Sequence, residues 1–198
     1  MNRGQKIARL TTNAVIRVPA LWPLFRRLTR TQFDRLGPVW DANRSPDRTA
    51  AYEAALEGID GDVLRALDVG TGTGDGALAI ASRFPSAEIV GVDLADGMLA
   101  EARRKAPGIR FELADAARLP FADATFDLVA HSNMIPFFDE VTRVTAPRGW
   151  VLFAWSAGDE TPIYVPTERL RRELGTRGFA HFAEFSAGRG TALVARKG

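Results

Sequence analysis

Cysteine is absent from the 198 residues. That excludes disulfides, thiolate metal sites and a cysteine nucleophile, and it fits a reducing compartment. Lysine is almost absent too, with three among the 26 basic residues. This arginine and alanine bias points to a GC-rich bacterial genome. Net charge is small, +2, so no global field for nucleic acid is implied. There is no long apolar run. The best candidate, "NAVIRVPALWPLF", is short and interrupted by Arg17, Pro19 and Pro23. The same interruptions, with no small-residue cleavage site after them, argue against a secretion signal. A cytoplasmic chain is the expectation, with a peripheral membrane contact through its N-terminal segment.

What is present is uneven. Residues 1–35 hold eight Arg or Lys against one acid, Asp34. Residues 1–60 read as helices with breaks at Pro19, Pro23, Gly37-Pro38 and Ser45-Pro46. From residue 63 short apolar runs alternate with amphipathic segments. "VLRALDV", "AEIVGVD", "IRFELAD", "FDLVAHS" and "GWVLFAW" read as strands. Gly74 to Arg83, a segment with Asp96 as N-cap, "FFDEVTRVT" and "PTERLRRELGTRGF" read as helices between or after them. "AHFAEFS" and "TALVARK" read as a closing hairpin. Strands separated by helices predict a parallel α/β sheet covered on both faces. Ligands then sit beyond the carboxyl ends of the strands. The expected organisation is an N-terminal helical extension or lid, 1–60, and a ligand-binding domain, 61–198.

The most informative stretch is "ALDVGTGTGDGALAIA", 66–81. Gly72-x-Gly74-x-x-Ala77 matches the dinucleotide fingerprint, with Asp93 nineteen residues past Gly74 as the ribose acid. A pyrophosphate would rest on the helix N-terminus. Asp68, four residues before Gly72 at the ligand end of the first strand, argues against that reading. A carboxylate there repels a pyrophosphate and suits a ligand with a positive end, such as the ammonium and sulfonium of S-adenosylmethionine.

Four blocks then fall in order. "LDVGTGTG", "VGVDLADGML", "ELADAARLPFADATFDLVAHSNMI" and "VTRVTAPRGWVLFAW" together span about 63–155. This region resembles the class I S-adenosylmethionine-dependent methyltransferases. It is nearest the small-molecule branch that includes the ubiquinone and menaquinone biosynthesis methyltransferases. The resemblance implies a Rossmann-like seven-stranded sheet, order 3-2-1-4-5-7-6, with strand seven antiparallel. It also implies the cofactor. Gly70, Gly72 and Gly74 would let the backbone approach it, with hydrogen bonds from Thr71 and Thr73. Asp68 would lie near the methionyl end. Asp93 would take the ribose hydroxyls. Leu94 and Met98 would sandwich the adenine, Asp115 would accept from its amine beside the Ala116 N–H, and His131 and Ser132 would flank the methionyl portion. Each has a bland alternative: a tight turn for the glycines, a helix cap for Asp93, a loop acid for Asp115, core for Met98.

Two departures stand out. The turn before the fifth strand is Pro147-Arg148-Gly149 rather than Pro-Gly-Gly. The paired histidines many relatives carry after strand four are replaced by Ile135-Pro136-Phe137-Phe138.

The expected function is methyl transfer by in-line displacement to a small lipophilic or aromatic acceptor. Trp22, Phe25, Phe33 and Trp40 offer the apolar surface for it. Nucleic acid is not an expected partner. "NMIPF" has two residues between Asn133 and Pro136 where base N-methylation motifs have one, and covalent pyrimidine C5 chemistry needs a cysteine. The catalytic base is left unassigned. His131 is the best placed candidate, ahead of His181, Asp159, Glu160 and Tyr164. Two other readings remain at this stage: a protein that binds the cofactor without transferring methyl, and a nicotinamide-dependent reductase, which Asp68 disfavours.

Overall fold

Apolar residues alternate between two destinations along the strands. Ala66, Leu128, Leu152 and Val194 point to one side, and their neighbours Leu67, Val129, Phe153 and Leu193 to the other. All eight are buried. A strand buried on both faces belongs inside a sheet covered by helices on both sides. The computed structural model, which describes residues 3–42, 45 and 47–198, has that arrangement. Its strands are β1 (Arg65–Val69), β2 (Glu88–Asp93), β3 (Arg110–Leu113), β4 (Phe126–Ser132), β5 (Thr145–Trp155), β6 (Phe179–Ala187) and β7 (Gly190–Lys197). They form one sheet in the order β3-β2-β1-β4-β5-β7-β6. The first five pair in parallel, and β7 runs antiparallel to β5 and β6. This is the Rossmann-like order that the resemblance implied.

Helices α3 (Ala50–Glu57), α4 (Asp75–Arg83) and α5 (Asp96–Lys105) cover one face. Helices α6 (Phe138–Val144) and α7 (Thr167–Gly175) cover the other. Although α3 lies in the segment 1–60, its Tyr52, Ala55 and Leu56 are core residues under the sheet. Helices α1 (Arg3–Arg17) and α2 (Trp22–Leu36) lie instead over the carboxyl ends of the strands. Val15, Trp22 and Phe137 form a separate small apolar cluster that ties them down.

Several local expectations shift. The break at Pro23 is not a break, because Pro23 sits in the first turn of α2, where its missing N–H has no helical partner to lose. The chain turns at Val18 and in a short 3-10 segment, Pro19–Leu21, and again at Gly37–Val39. Of the expected Ser45-Pro46 break, Pro46 lies outside the described residues. Helix α5 is capped at Ala95, not Asp96, whose carboxylate pairs with Arg30. His181, at positive φ, stands in a register shift of β6 at the sheet edge, far from the strand ends that face the ligand side.

Candidate active site

Strand β1 ends at Val69, and the loop that follows must turn back under α4. It does so with Gly70, Gly72 and Gly74 all at positive φ, a region open to glycine at little cost. Asp68 fixes this loop from beneath. It is 2% exposed. Its carboxylate accepts the Thr71 hydroxyl at 2.6 Å, the Tyr52 hydroxyl at 3.5 Å and the Ala77 N–H in the first turn of α4. Burial outweighs these bonds and pushes its pKa up to about 7. Burial and Asp68 together push the Tyr52 phenol well above its usual value.

Asp93 ends β2 beside the same loop. One oxygen accepts the Gly72 N–H at 2.9 Å and the other the Ala95 N–H at 2.9 Å. The Leu94 N–H donates to it as well, and three donors leave the carboxylate with acceptor capacity to spare for a ligand. Burial raises this acid too, against the pull of its backbone donors.

A cavity of about 530 Å³ opens above these loops, within the usual ligand-pocket range of about 300–1,000 Å³. Asp68, Gly70, Thr71, Gly72, Thr73, Asp93, Leu94, Met98, Ala116 and Ser132 all line it. Three expected residues do not. Gly74 lies behind the loop, where a Cβ would meet Phe111 and Ala102. Asp115 faces an adjoining hollow with Arg26, Arg27 and Arg30. Its oxygens accept Trp22 Nε1 at 2.8 Å, the Ala117 N–H at 3.0 Å and Arg26 at 3.1 Å. His131 points to the opposite face of the sheet, stacked on Phe153 with centroids 4.8 Å apart. Its Nδ1 lies 3.1 Å from Met134 Sδ, its Nε2 has no hydrogen-bond partner among the described residues, and burial pulls its pKa down to about 3. That imidazole is neutral at pH 7. His181, Asp159, Glu160 and Tyr164 do not line the cavity either.

The far wall comes from the N-terminal segment. Ile7, Ala8, Thr11 and Thr12 of α1 and Trp22, Phe25, Leu28 and Phe33 of α2 face the cavity, with Trp40 beyond them. Trp22 meets Phe137 edge-on at 5.3 Å, and Phe33 meets Trp40 edge-on at 5.5 Å. From the loop after β5 only Ile163 reaches the cavity among the described residues. That loop instead holds α1, through Arg9 bonded to the Thr161 carbonyl at 2.8 Å and to the Asp159 carbonyl.

Sequence reasoning did not find Tyr52, Met134 or the ion network of Asp41, Arg48, Asp75 and Lys105. Lys105 meets Asp41 at 2.6 Å and Asp75 at 2.7 Å, and Arg48 meets Asp75 at 2.8 Å. These are pairings across distant parts of the chain, with no motif to mark them.

A family model described as "Methyltransferase domain" matches residues 66–149. The chain is 47% identical over 113 residues to the demethylmenaquinone methyltransferase of Thermus thermophilus, covering 52% of this chain and 50% of that protein. It is 35% identical over 148 residues to the malonyl-[acyl-carrier protein] O-methyltransferase of Halorhodospira halophila, covering 69% of this chain and 50% of that one. The chain thus spans about half the length of these curated relatives. Among solved structures it superposes on a chain of the complex between the Haloferax volcanii Trm112 methyltransferase activator and a methyltransferase. There the TM-score is 0.68 at 16% identity, covering 83% of this chain and 96% of that chain.

Residues 66–149, which carry the glycine loop and the ends of β1 and β2, match a methyltransferase domain, and the sheet has the order implied by the resemblance to the class I S-adenosylmethionine-dependent methyltransferases. The chain resembles the menaquinone methyltransferases within that class. The site fits the cofactor of the class. A Cβ built on Gly72 would point into open space, with only Trp40 Nε1 near, at 3.9 Å. That leaves room for a ligand against the backbone. Two carboxylates at the ends of β1 and β2, Asp68 buried and Asp93 partly exposed, supply acceptors for a ligand rich in donors and positive charge.

Proposed function

We propose that this protein transfers the methyl group of S-adenosylmethionine to a small lipophilic or aromatic acceptor. The observation that supports this most is the shared cavity. One wall is the glycine loop with Asp68 and Asp93, and the other is the aromatic and aliphatic face of α1 and α2. A ligand on the first wall and an acceptor on the second would meet inside one enclosure.

The bound cofactor supplies an activated sulfonium methyl. The chain supplies placement. Asp93 holds the ribose hydroxyls with the lone pairs its backbone donors leave free. Asp68 lies under the methionyl end, where a positive group favours its ionised form. Leu94 and Met98 border the adenine. Trp22, Phe25, Phe33 and Phe137 exclude water and orient a flat acceptor. Alignment of this kind contributes about 7–11 kcal/mol to a barrier. None of the five candidate bases faces the cavity, so the acceptor itself brings an ionised or readily ionised nucleophile. In this reading α1 and α2 are the lid, and they are also the part of the chain that meets a membrane surface carrying the acceptor.

The test is direct. S-adenosylmethionine and S-adenosylhomocysteine should raise the melting temperature by linkage, and NAD should not. Incubation with phenolic or quinol acceptors should release S-adenosylhomocysteine. A thermal shift with NAD alone would remove the basis of the reading.

A further inference from the structure

Large apolar side chains that stand exposed are concentrated at one end of the molecule. Among the described residues, Ile7, Leu10, Val18, Leu24, Leu28 and Val39 are of this kind in the first 39 positions. Leu64, Leu78 and Leu113 are the others. Leu10, Leu24 and Leu28 are each more than 70% exposed. Their spacing is not random. Ile7, Leu10, Ala14 and Arg17 recur along one face of α1, and Leu24, Arg27, Leu28 and Thr31 along one face of α2. Ile7 and Leu28 also line the cavity. The mouth of the cavity therefore lies between α1 and α2, and its lips are aliphatic and open to solvent.

Charge follows the same surface. Arg26 and Arg30 meet acids, Asp115 and Asp96. Lys6, Arg17, Arg27 and Arg35 meet no carboxylate among the described residues. Arg26, Arg27 and Arg30 ring the hollow beside the mouth, about 440 Å³. An aliphatic face rimmed by unpaired cations is complementary to one surface above others. Apolar side chains enter the acyl boundary while arginines stay with anionic headgroups. An acidic protein would match the arginines and leave five or six aliphatic side chains without a reason to be exposed.

We infer that the α1–α2 face docks on an anionic lipid bilayer, with the cavity mouth turned to the lipid, so that an acceptor with an apolar chain enters sideways from the membrane. No helix among the described residues is long and apolar enough to cross a membrane, so this is contact in the interface plane. The identity of what enters rests on the methyl-transfer reading, and the docking itself does not.

The experiment is flotation of the full chain with vesicles of phosphatidylglycerol and phosphatidylcholine, or of phosphatidylcholine alone. Calorimetry with S-adenosylhomocysteine on the same samples reports the folded cofactor site. Docking predicts binding to the anionic vesicles, weakened by salt, and little binding to the neutral ones. Leu10→Gln with Leu24→Gln should weaken it on the order of tenfold or more. Arg17→Gln with Arg27→Gln should weaken it about fivefold per charge. Neither pair lines the cavity, so S-adenosylhomocysteine binding should stay unchanged in both. Absence of vesicle binding, equal binding to neutral vesicles, or undiminished binding by both variants would overturn the docking while leaving the proposed activity standing. Vesicle binding without S-adenosylhomocysteine binding would uphold the docking and count against the activity instead.

Discussion

The two walls of the cavity are held in different ways. On the wall proposed for the cofactor, polar groups close on one another within a short stretch of chain. Thr71 and Ala77 donate to Asp68, and Gly72 and Ala95 donate to Asp93. The acceptor side has no such local closure. Helix α2 and the segment just after it reach the sheet side through a few long-range tethers. Trp22 and Arg26 bond to Asp115, Asp34 accepts the Gly97 N–H at 3.1 Å, and Asp41 accepts the Thr73 hydroxyl at 2.9 Å. At Gly37 and Gly97 the two parts approach backbone to backbone, where a Cβ on either would lie under 2.5 Å from the other side. The first wall is closed mainly by its own polar groups, with Tyr52 and Asp41 added from outside it. The second depends on docking, and its tethers land on the cofactor loops themselves. If α1 and α2 act as the proposed lid, they do not act on the acceptor alone, because they are seated on the loops proposed to hold the cofactor.

The largest effect should come from removing the second wall. Deleting residues 1–30 strips α1 and most of α2, with Val15 and Trp22 of the small cluster. The sheet and α3 keep their core. The truncated protein should fold, bind S-adenosylhomocysteine within a few-fold, and lose methyl transfer by about a hundredfold or more, as water enters and alignment is lost. Full transfer after truncation would show that α1 and α2 are not the lid. A truncated chain that no longer folds would mean they are packing elements of the domain.

Next comes the first wall. Asp93→Ala removes a carboxylate that both shapes the loop and lines the cavity. A charge-assisted bond is worth about 1.5–3 kcal/mol, or roughly tenfold to a hundredfold in affinity. Calorimetry with S-adenosylhomocysteine should show that loss. Unchanged affinity would mean the ribose is held by other groups.

A third effect follows from Asp68. Its carboxyl is raised to about 7, first by burial. A carboxylate raised in the folded state makes stability greatest below its unfolded pKa, about 3.9, and that stability is lost as pH rises toward 7. A cationic ligand has the opposite preference, since it favours the ionised form. S-adenosylmethionine affinity should therefore rise about tenfold from pH 6 to pH 8. S-adenosylhomocysteine, which lacks the sulfonium charge, should rise less. Equal slopes for the two would place the sulfonium away from Asp68.

The same contrast explains what the sequence made legible. The sheet order and the acids at the ends of β1 and β2 follow from period-2 apolar runs and from glycines at fixed spacing, which are local signals. The cavity lining from Asp68 to Thr73 was readable for that reason. His131 was read by its position after strand four, but β4 alternates, and one residue separates a side chain facing the ligand from one stacked on Phe153. Asp115 was assigned to the cofactor from its motif. Its bonds to Trp22 and Arg26 join residues 93 and 89 positions apart, and no periodicity encodes such pairs. The network of Asp41, Arg48, Asp75 and Lys105 escaped for the same reason.

The smallest effect isolates one tether. Trp22→Phe keeps an aromatic ring against Phe137 and removes the Nε1–H that donates to Asp115, together with part of the buried indole volume. The carboxylate retains Arg26 and the Ala117 N–H, so it is not left bare, and the lost hydrogen bond should cost no more than about 1.5 kcal/mol, beside the cost of the smaller ring. For a chain of this size that lowers the melting temperature by a few degrees. The effect on binding is the informative part. In the folded protein Asp115 is engaged by α2 beside the cavity rather than in it, whereas the resemblance assigns the same carboxylate to the adenine amine. If the two demands compete, freeing one oxygen should leave S-adenosylhomocysteine affinity equal or slightly higher, while transfer falls a few-fold because the lid is looser. If Trp22 itself contacts the bound cofactor, affinity should fall together with transfer. Paired calorimetry and single-turnover rates on Trp22→Phe separate these outcomes, and a fall in affinity would move the lid from the acceptor's side of the cavity to the cofactor's.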